Sequence, residues 1–221
     1  MSSDGDSGAG NQTARYRTVA RDAEAEIEIK RSRFLGQVVG VSDEDAARAV
    51  IESARKRHWD ARHHCSAFIL GPESAVLRSN DDGEPAGTAG APMLEVLRGA
   101  EISDVVAVVT RWFGGTLLGA GGLVRAYGDA VRAALAEAGT LTRTLMTHHE
   151  LVIDHADAGR LESELRQRGI EVVDTAYTNR VALTLGVPDG REAELAALAA
   201  ELTAGSAAPR PVGSAWVDVR D

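Results

Sequence analysis

The sequence predicts a two-domain protein of the α+β class, and three patterns support this prediction. Alternating apolar and charged residues, as between Ala25 and Lys30, are typical of half-buried strands. Apolar residues at helical spacing, as in the stripe from Leu123 to Ala138, are typical of helices that pack on one face. In the last third of the chain the elements follow the order βαββαβ, which is that of a ferredoxin-like domain. The expected segments are a disordered tail (1–14), a first domain (15–139) and a second domain (140–221).

The first domain is expected to combine five strands with three helices. Ser42 and Asp45 resemble a capping box that begins the first helix. Pro92 suits the first turn of the second helix, which stops at Gly99, and Gly139 closes the third. The apolar run at 105–109 has the composition of a central strand. The other strands are expected around Ala25–Ile29 and at 34–41, 63–70 and 75–79.

The second domain reads as two similar halves, each with a strand, a helix that follows an aspartate, and another strand. Asp154 and Asp189 precede the two helices, and Gly169 and Gly205 end them, so the halves match in length. This symmetry favours the ferredoxin-like arrangement. The strands are expected at 145–153, 170–177, 181–187 and 216–219.

Composition excludes several classes of protein. The chain has 24 basic and 33 acidic residues and a net charge of −9, whereas a protein that binds DNA along a long basic track should be basic. Any contact with nucleic acid therefore has to come from a local patch. Cys65 is the single cysteine, which excludes an internal disulfide framework and zinc sites built from cysteine pairs. No apolar stretch is long enough for a membrane helix, and the start lacks a signal-peptide pattern, so we expect a cytoplasmic protein with no membrane contact.

Glycine is concentrated in two clusters, since nine of the 23 glycines fall between positions 83 and 122. Each cluster comes just before a predicted helix, where free backbone N–H groups and the positive end of the helix dipole suit an anion. Two arginines near the second cluster can add charge-assisted hydrogen bonds. Tight turns that pack helices on the sheet are the alternative explanation. The candidate binding residues are Asp81, Asp82, Glu84, Gly87, Thr88 and Gly90 in the first cluster, and Arg111, Trp112, Gly114, Gly115, Gly119, Gly121, Gly122 and Arg125 around the second.

These two clusters resemble the signature of a known family. DDGEPAGTAG at 81–90, with VVAVVTRWFGGTLLGAGGLVRAY at 105–127, closely matches the signature of the YigZ/IMPACT family, and DARHHCSA at 60–67 is similar to the stretch before it. The resemblance covers residues 15–139, and the second domain is similar in pattern and position to that of the bacterial branch. The eukaryotic branch carries a different, N-terminal extra domain.

The resemblance implies a fold and a link to translation. It implies a two-layer α/β first domain like domain IV of elongation factor G, and a ferredoxin-like second domain like domain V of that factor. In eukaryotes, IMPACT restrains the starvation-sensing kinase that phosphorylates an initiation factor, by competing for the activator of that kinase. Some bacterial members have been labelled proline dipeptidases. The implied role is therefore in the regulation of translation, with hydrolysis as the rival.

The residues give a hydrolase little support. Metal peptidases need three or more converging ligands, and His63, Asp81 and Glu84 are the set that the sequence offers. A strand histidine is more commonly a hydrogen-bonding residue, so we expect neither a metal nor a cofactor. Cys65 lies within a predicted strand, where a buried inert thiol is the usual case. Whether the chain is an enzyme stays open, and an acidic turn at Asp81, Asp82 and Glu84 would carry the activity if it is one.

The lack of a nucleophile–base pair and of a full metal-ligand set favours binding over catalysis, and the adjacent aromatic residues Trp112 and Phe113 are a candidate contact. They lie beside Arg111 at a strand end, and both can face the core only if the backbone turns. If one of them is exposed, an aromatic ring beside an arginine can stack on bases or dock a peptide. The alternative is that both rings pack under the glycine-rich loop. The sequence therefore predicts a translation-associated binding or regulatory protein that contacts RNA, the ribosome or a protein partner through its glycine-rich loops. A peptidase-like or phosphohydrolase-like enzyme is the alternative.

Overall fold

The computed structural model describes residues 14–219, which form two compact units. The first unit extends to Thr142 and the second runs from Arg143 to Val219. The expected disordered tail lies outside the described residues, apart from Ala14. The class is α+β, as predicted, with five helices and two sheets. The expected boundary at 139–141 stays a prediction.

In the first unit, a sheet with the strand order β2-β3-β6-β4-β5 carries three helices. All neighbouring strands in it are antiparallel. The central strand, β6, pairs with both β3 and β4, in agreement with the expectation from its apolar sequence. The elements are β1 (Arg15–Val19), β2 (Ala23–Ile29), β3 (Ser32–Gly40), α1 (Glu44–Arg57), β4 (His63–Leu70), β5 (Val76–Asn80), α2 (Gly90–Gly99), β6 (Val105–Trp112) and α3 (Ala120–Ala138).

Helices cover both faces of this sheet because β6 is apolar on both sides. Val105, Ala107 and Val109 lie in the main core with residues of α2 and α3. Val106 and Val108 point to the opposite face, where they pack with residues of α1. The sheet with α2 and α3 forms the two layers that the sequence analysis expects, and α1 adds cover on the other side.

The helix α3 lies directly on the sheet at Gly36. A Cβ atom at this position of β3 would lie 2.3 Å from the carbonyl oxygen of Ala130, so only glycine allows the close approach. The buried stripe of α3, which includes Leu123, Tyr127 and Val131, then reaches the sheet. Gly139 ends the helix with φ of 63°, as predicted.

The second unit contains four strands and two helices. β7, β9 and β8 are neighbours in that order and antiparallel, and β10 also pairs with β7. This pairing is the ferredoxin-like pattern that the sequence predicts. Leucines of α4 and α5 pack on the inward residues of β9. The elements are β7 (Thr140–Ile153), α4 (His155–Gln167), β8 (Glu171–Tyr177), β9 (Val181–Pro188), α5 (Glu192–Thr203) and β10 (Arg210–Val219).

Several element boundaries differ from the expectation. The capping box is wrong: Asp43 caps α1 by accepting a hydrogen bond from the backbone N–H of Ala46 at 2.8 Å, and the hydroxyl of Ser42 donates to Asp43 instead. Asp189 does not begin a helix, since α5 starts at Glu192. The strand β1 was not expected because two of its three buried residues, Tyr16 and Thr18, carry hydroxyl groups, which donate hydrogen bonds to Asp104.

Limited proteolysis tests the division into two domains. Each unit has its own apolar core, so a protease should leave both cores intact and cut between them. We expect early loss of the first ~14 residues, followed by cleavage near 139–145, as read by mass spectrometry of the fragments. Rapid cleavage within 105–135 would contradict the assignment.

Candidate functional site

The candidate site lies at one edge of the first sheet, where three strands begin or end. β6 ends at Trp112, and its register places Arg33 of β3 opposite Trp112 and His63 of β4 opposite Arg111. Because β3 and β4 run antiparallel to β6, their first residues meet its last ones. The loops at 81–89 and 113–119 start from the same end of the sheet. We call these strand ends and the two loops the loop edge.

Asp81 occupies the N-terminus of α2 with its own side chain. The carboxylate accepts hydrogen bonds from the backbone N–H groups of Gly87 at 2.8 Å, Ala89 at 3.0 Å and Gly90 at 2.8 Å. Burial tends to raise the pKa of Asp81, but these backbone hydrogen bonds outweigh it and lower the pKa below its usual value. The anion that the first glycine cluster attracts is therefore the side chain of Asp81.

Asp82 makes several of the hydrogen bonds that hold the loop in place, and its own backbone is left-handed, with φ of 44°. Its carboxylate accepts hydrogen bonds from the guanidinium of Arg55 at 2.7 Å and from the backbone N–H of His64 at 2.6 Å. Its carbonyl oxygen accepts from Nδ1 of His63 at 2.8 Å. Asp82 thus ties the loop to α1 and β4, and its oxygens already have partners.

Glu84 is the buried centre of the loop edge. Its Oε1 atom accepts hydrogen bonds from the guanidinium of Arg111 at 2.5 Å and from the hydroxyl of Tyr127 at 2.7 Å. All three residues are buried, and Tyr127 makes an edge-to-face contact with Phe34 at 5.3 Å between ring centres. Burial raises the pKa of Tyr127 far above its usual value, so its hydroxyl stays a donor. Three elements, namely the loop, β6 and α3, therefore meet at one carboxylate.

Cys65 and His63 lie next to this centre but form no nucleophile. The Sγ atom of Cys65 donates to the carbonyl oxygen of Asp81 at 3.0 Å, and burial raises the pKa of the thiol to about 12. Nε2 of His63 lies 3.9 Å from Glu84. Among residues 14–219, no three His, Cys, Asp or Glu side chains are arranged to hold a metal ion. Thr88 is buried, with its hydroxyl donating to the carbonyl of Pro85 at 2.6 Å.

The second glycine cluster leaves its helix terminus without a side-chain cap. Gly114 packs against the backbone of Arg31, and a Cβ atom there would lie 2.0 Å from a backbone carbon. Gly115 has φ of 84°, and Gly119, with φ of 73°, is the residue that caps α3. Among the described residues, no side chain caps the N-terminus of α3, whereas the carboxylate of Asp81 accepts hydrogen bonds at that of α2. Gly121 and Gly122 lie within α3 rather than before it, and Arg125 follows one turn later on an exposed face.

Exposed aromatic and basic side chains surround the end of β6. Phe113 is 47% exposed and Trp112 is half-buried, with its indole N–H donating to Asp60 at 2.8 Å. The guanidinium of Arg33 stacks over the Trp112 ring at 4.7 Å from the ring centre. Trp59 is 82% exposed, between two residues that both contact Trp112. We call Arg31, Arg33, Trp59, Trp112 and Phe113 the aromatic–arginine patch.

The structure thus brings together only part of the predicted site. Asp81, Asp82, Glu84 and Arg111 meet at the loop edge, but their side chains are engaged within the protein: Glu84 pairs with Arg111, and the two aspartates accept hydrogen bonds from neighbouring residues. Arg125 lies apart, on the outer surface of α3. Trp59 and Arg33 were not predicted as site residues. Both lie in basic stretches of the sequence, namely KRSR at 30–33 and RKRHWDAR at 55–62, and this basic character is a signal that could have indicated them. Ligand binding by any of these residues stays a prediction.

The buried thiol predicts a loss of stability at alkaline pH. The pKa of Cys65 is raised in the folded state, so the folded protein holds the thiol proton more tightly than the unfolded chain does. The stability that this provides is complete below pH ~8.5 and is lost as the pH rises towards about 12.

Urea denaturation between pH 8 and 11 measures this effect. The free energy of unfolding should fall more steeply with pH for the natural chain than for Cys65→Ala, whose position 65 cannot ionise. If the free energy of unfolding falls equally steeply with pH in both proteins, ionisation of the Cys65 thiol does not cause the loss of stability.

Comparison with known proteins identifies the family. The family model for the Impact N-terminal domain matches residues 30–135, and a second model, described as a domain of unknown function, DUF1949, matches residues 151–206. No helix within residues 14–219 has both the length and the apolar character needed to cross a membrane.

Curated relatives match most of the chain. It is 41% identical to the IMPACT family member YvyE of Bacillus subtilis over 190 residues, which are 86% of this chain and 88% of that one. It is also 41% identical to the IMPACT family member YigZ of Escherichia coli, over 81% of this chain and 89% of that one. A protein named IMPACT homolog from Dictyostelium discoideum is 33% identical over 94 residues, 41% of this chain and 27% of that protein.

A solved structure supports the same assignment. A crystal structure described as that of a hypothetical protein is 37% identical, covers 90% of this chain and 98% of its own, and has a TM-score of 0.61. Both domains expected from the resemblance are therefore present, and the chain belongs to the IMPACT family.

Proposed function

We propose that this protein is a translation-associated regulatory protein that binds RNA through the aromatic–arginine patch. The observation that carries the proposal is the exposure of Trp59 and Phe113, whose chain neighbours contact or include the arginine-stacked Trp112. Apolar rings of this size are normally buried, and exposing them to water costs free energy that a ligand can recover. Base stacking on such rings, with arginines contacting the phosphates, is the usual means of binding single-stranded RNA.

The charges around the patch suit a short RNA contact. Lys30 and Arg62 are exposed there, and neither has an ion-pair partner among residues 14–219. Arg33 is engaged by Glu26 at 2.8 Å, and this pair is half exposed, so water and salt weaken it. Because the patch has only a few basic side chains, and the whole chain has a net charge of −9, RNA can contact it through only a few phosphates. The affinity for RNA should therefore depend only weakly on salt.

The resemblance to the IMPACT family supports a regulatory role that is linked to translation. Relatives named IMPACT homolog occur in Dictyostelium discoideum and Saccharomyces cerevisiae. The resemblance that the sequence analysis describes links the family to translation, so ribosomal RNA in the cytoplasm is the natural source of this ligand. A translation-related protein that docks on Trp59 and Phe113 is the other partner that the patch could accept.

The hydrolase alternative receives no support from the geometry of the acidic turn. Asp81 caps α2, Asp82 bonds to Arg55 and His64, and Glu84 is paired with Arg111. A general base needs a carboxylate within reach of the substrate proton. The three carboxylates instead hold the loop in place.

Substitutions in the patch test RNA binding. Trp59→Ala and Phe113→Ala should each weaken binding of a fluorescent 12-nucleotide single-stranded RNA by about 1–3 kcal/mol, the usual contribution of one stacked base. Fluorescence anisotropy at two salt concentrations measures both the affinity and its salt dependence. Arg111→Ala is unsuitable for this test because it would leave Glu84 buried without its partner.

A matched control uses an exposed aromatic of the second unit. Tyr177 is 66% exposed and stacks on His155, so Tyr177→Ala removes a comparable ring outside the patch. This variant should bind the RNA as the natural chain does. If Trp59→Ala and Phe113→Ala fold normally and also keep the full affinity, the patch is not the RNA site. Co-sedimentation of the same variants with ribosomes then asks whether the patch docks a protein.

A further inference from the structure

A groove between α2 and α3 lies on the outer surface of the first unit. It has a volume of about 910 Å³. Its two walls are stripes at helical spacing, one on each helix, and small or apolar residues predominate in both. The α2 wall comprises Ala91, Pro92, Glu95, Val96, Gly99 and Ala100, and the α3 wall comprises Gly121, Val124, Arg125, Gly128, Arg132 and Leu135.

The fold does not require the glycine at position 121. It lies in the first turn of α3 with an ordinary helical φ, and a Cβ atom there would meet nothing within 4 Å. Alanine would favour the helix more than glycine does, because glycine has the greater backbone freedom to lose on folding. The space above Gly121 is open, and it lets the backbone of a partner come closer than any side chain would allow.

Arg125 supplies a charge on the same wall. It follows Gly121 by one helical turn, is exposed, and has no ion-pair or hydrogen-bond partner among residues 14–219. The other charged residues of the groove are paired: Glu95 contacts Arg98 at 3.2 Å and Arg132 contacts Asp129 at 2.7 Å. Within residues 14–219, the groove therefore has one charge without a partner, and this charge is positive.

These features limit what can occupy the groove. None of the described residues that line it is aromatic, so it offers no stacking surface to RNA and no aromatic slot to a proline-rich peptide. Beyond the first turn of α3, the backbone groups of both helical walls are already hydrogen-bonded within their helices, so an extended strand cannot pair along them. The remaining mode is an amphipathic helix laid between two helices, with small residues at the closest approach.

We propose that the α2–α3 groove docks an amphipathic helix of a partner protein, with small side chains over Gly121 and a carboxylate paired with Arg125. The wall from Gly121 to Leu135 is about 21 Å long, so a partner helix of about four turns fills it. The anion that the sequence analysis expects near Gly121 and Arg125 is, in this proposal, an aspartate or glutamate side chain. The proposal does not depend on RNA binding by the aromatic–arginine patch.

A displayed library of 18-residue helical peptides tests this proposal. Peptides are selected on the full chain and the most enriched sequence is synthesised with a fluorescent label. We expect it to carry small residues at positions four apart and an acidic residue next to them. Its Kd, measured by anisotropy, should rise at least tenfold with Gly121→Leu and with Arg125→Glu. Exchanging its acidic residue for lysine should restore binding to Arg125→Glu.

The chain offers a matched control for the glycine. Gly159 lies within α4, is exposed, and also has nothing within 4 Å of a Cβ position. Both Gly121→Leu and Gly159→Leu should keep or raise the melting temperature, but only Gly121→Leu should lose the peptide. This separates a docking role of Gly121 from a purely structural one.

Four results would overturn the proposal. The first is that no peptide is enriched, and the second is that the enriched peptide binds Gly121→Leu as tightly as the natural chain. The third is that the 12-nucleotide RNA displaces the peptide. The fourth is that the natural chain sediments as a dimer and Gly121→Leu as a monomer. The last result would assign the groove to a second copy of this chain. Trp59→Ala should leave peptide binding unchanged, so failure of this proposal is distinguishable from failure of the RNA site.

Discussion

The carboxylate of Glu84 is the interaction on which the loop edge depends. It accepts from Arg111 of β6 and Tyr127 of α3 while its own backbone belongs to the loop that precedes α2. A buried ion pair contributes little net stability compared with apolar packing, but removing one partner typically costs about 3–5 kcal/mol. We infer that Glu84 fixes where the loop, the strand and the helix meet. Asp81 and Asp82 then hold the rest of the loop to α2, α1 and β4.

This arrangement separates two surfaces of the first unit. On one side, the end of β6 leads into the exposed rings and arginines of the aromatic–arginine patch, where we propose that RNA binds. On the other, α2 and α3 form the groove, which contains Gly121 and an arginine, Arg125, that has no partner in the part of the chain that the structure describes. A regulatory protein that binds RNA with one surface and a partner helix with the other would bring the RNA and the partner protein together. The glycine-rich loops at 81–89 and 113–119, which the sequence analysis proposes as binding loops, lead into α2 and α3.

The sequence predicted the fold more completely than the site, for physical reasons. Apolar periodicity reports burial, so the central strand β6, the stripe of α3 and the βαββαβ order were all evident. The hydrogen-bond partners of polar side chains are often distant in the sequence, and apolar periodicity does not indicate which residues they are. Glu84 and Tyr127 are 43 residues apart, and Trp112 reaches Asp60 across 52. For the same reason Asp81 looked like part of an anion site, whereas its carboxylate is the anion at the start of α2.

Amide hydrogen exchange of Glu84→Gln tests the central role of this carboxylate most directly. The variant leaves Arg111 charged and buried without an ionised partner, so the account predicts faster exchange in peptides that cover 81–90 and the start of α3. Exchange in the second unit should not change. Glu201→Gln, which removes an exposed carboxylate paired with Arg168, is the control and should leave exchange at 81–90 as it is. Unchanged protection of 81–90 in Glu84→Gln would contradict the account.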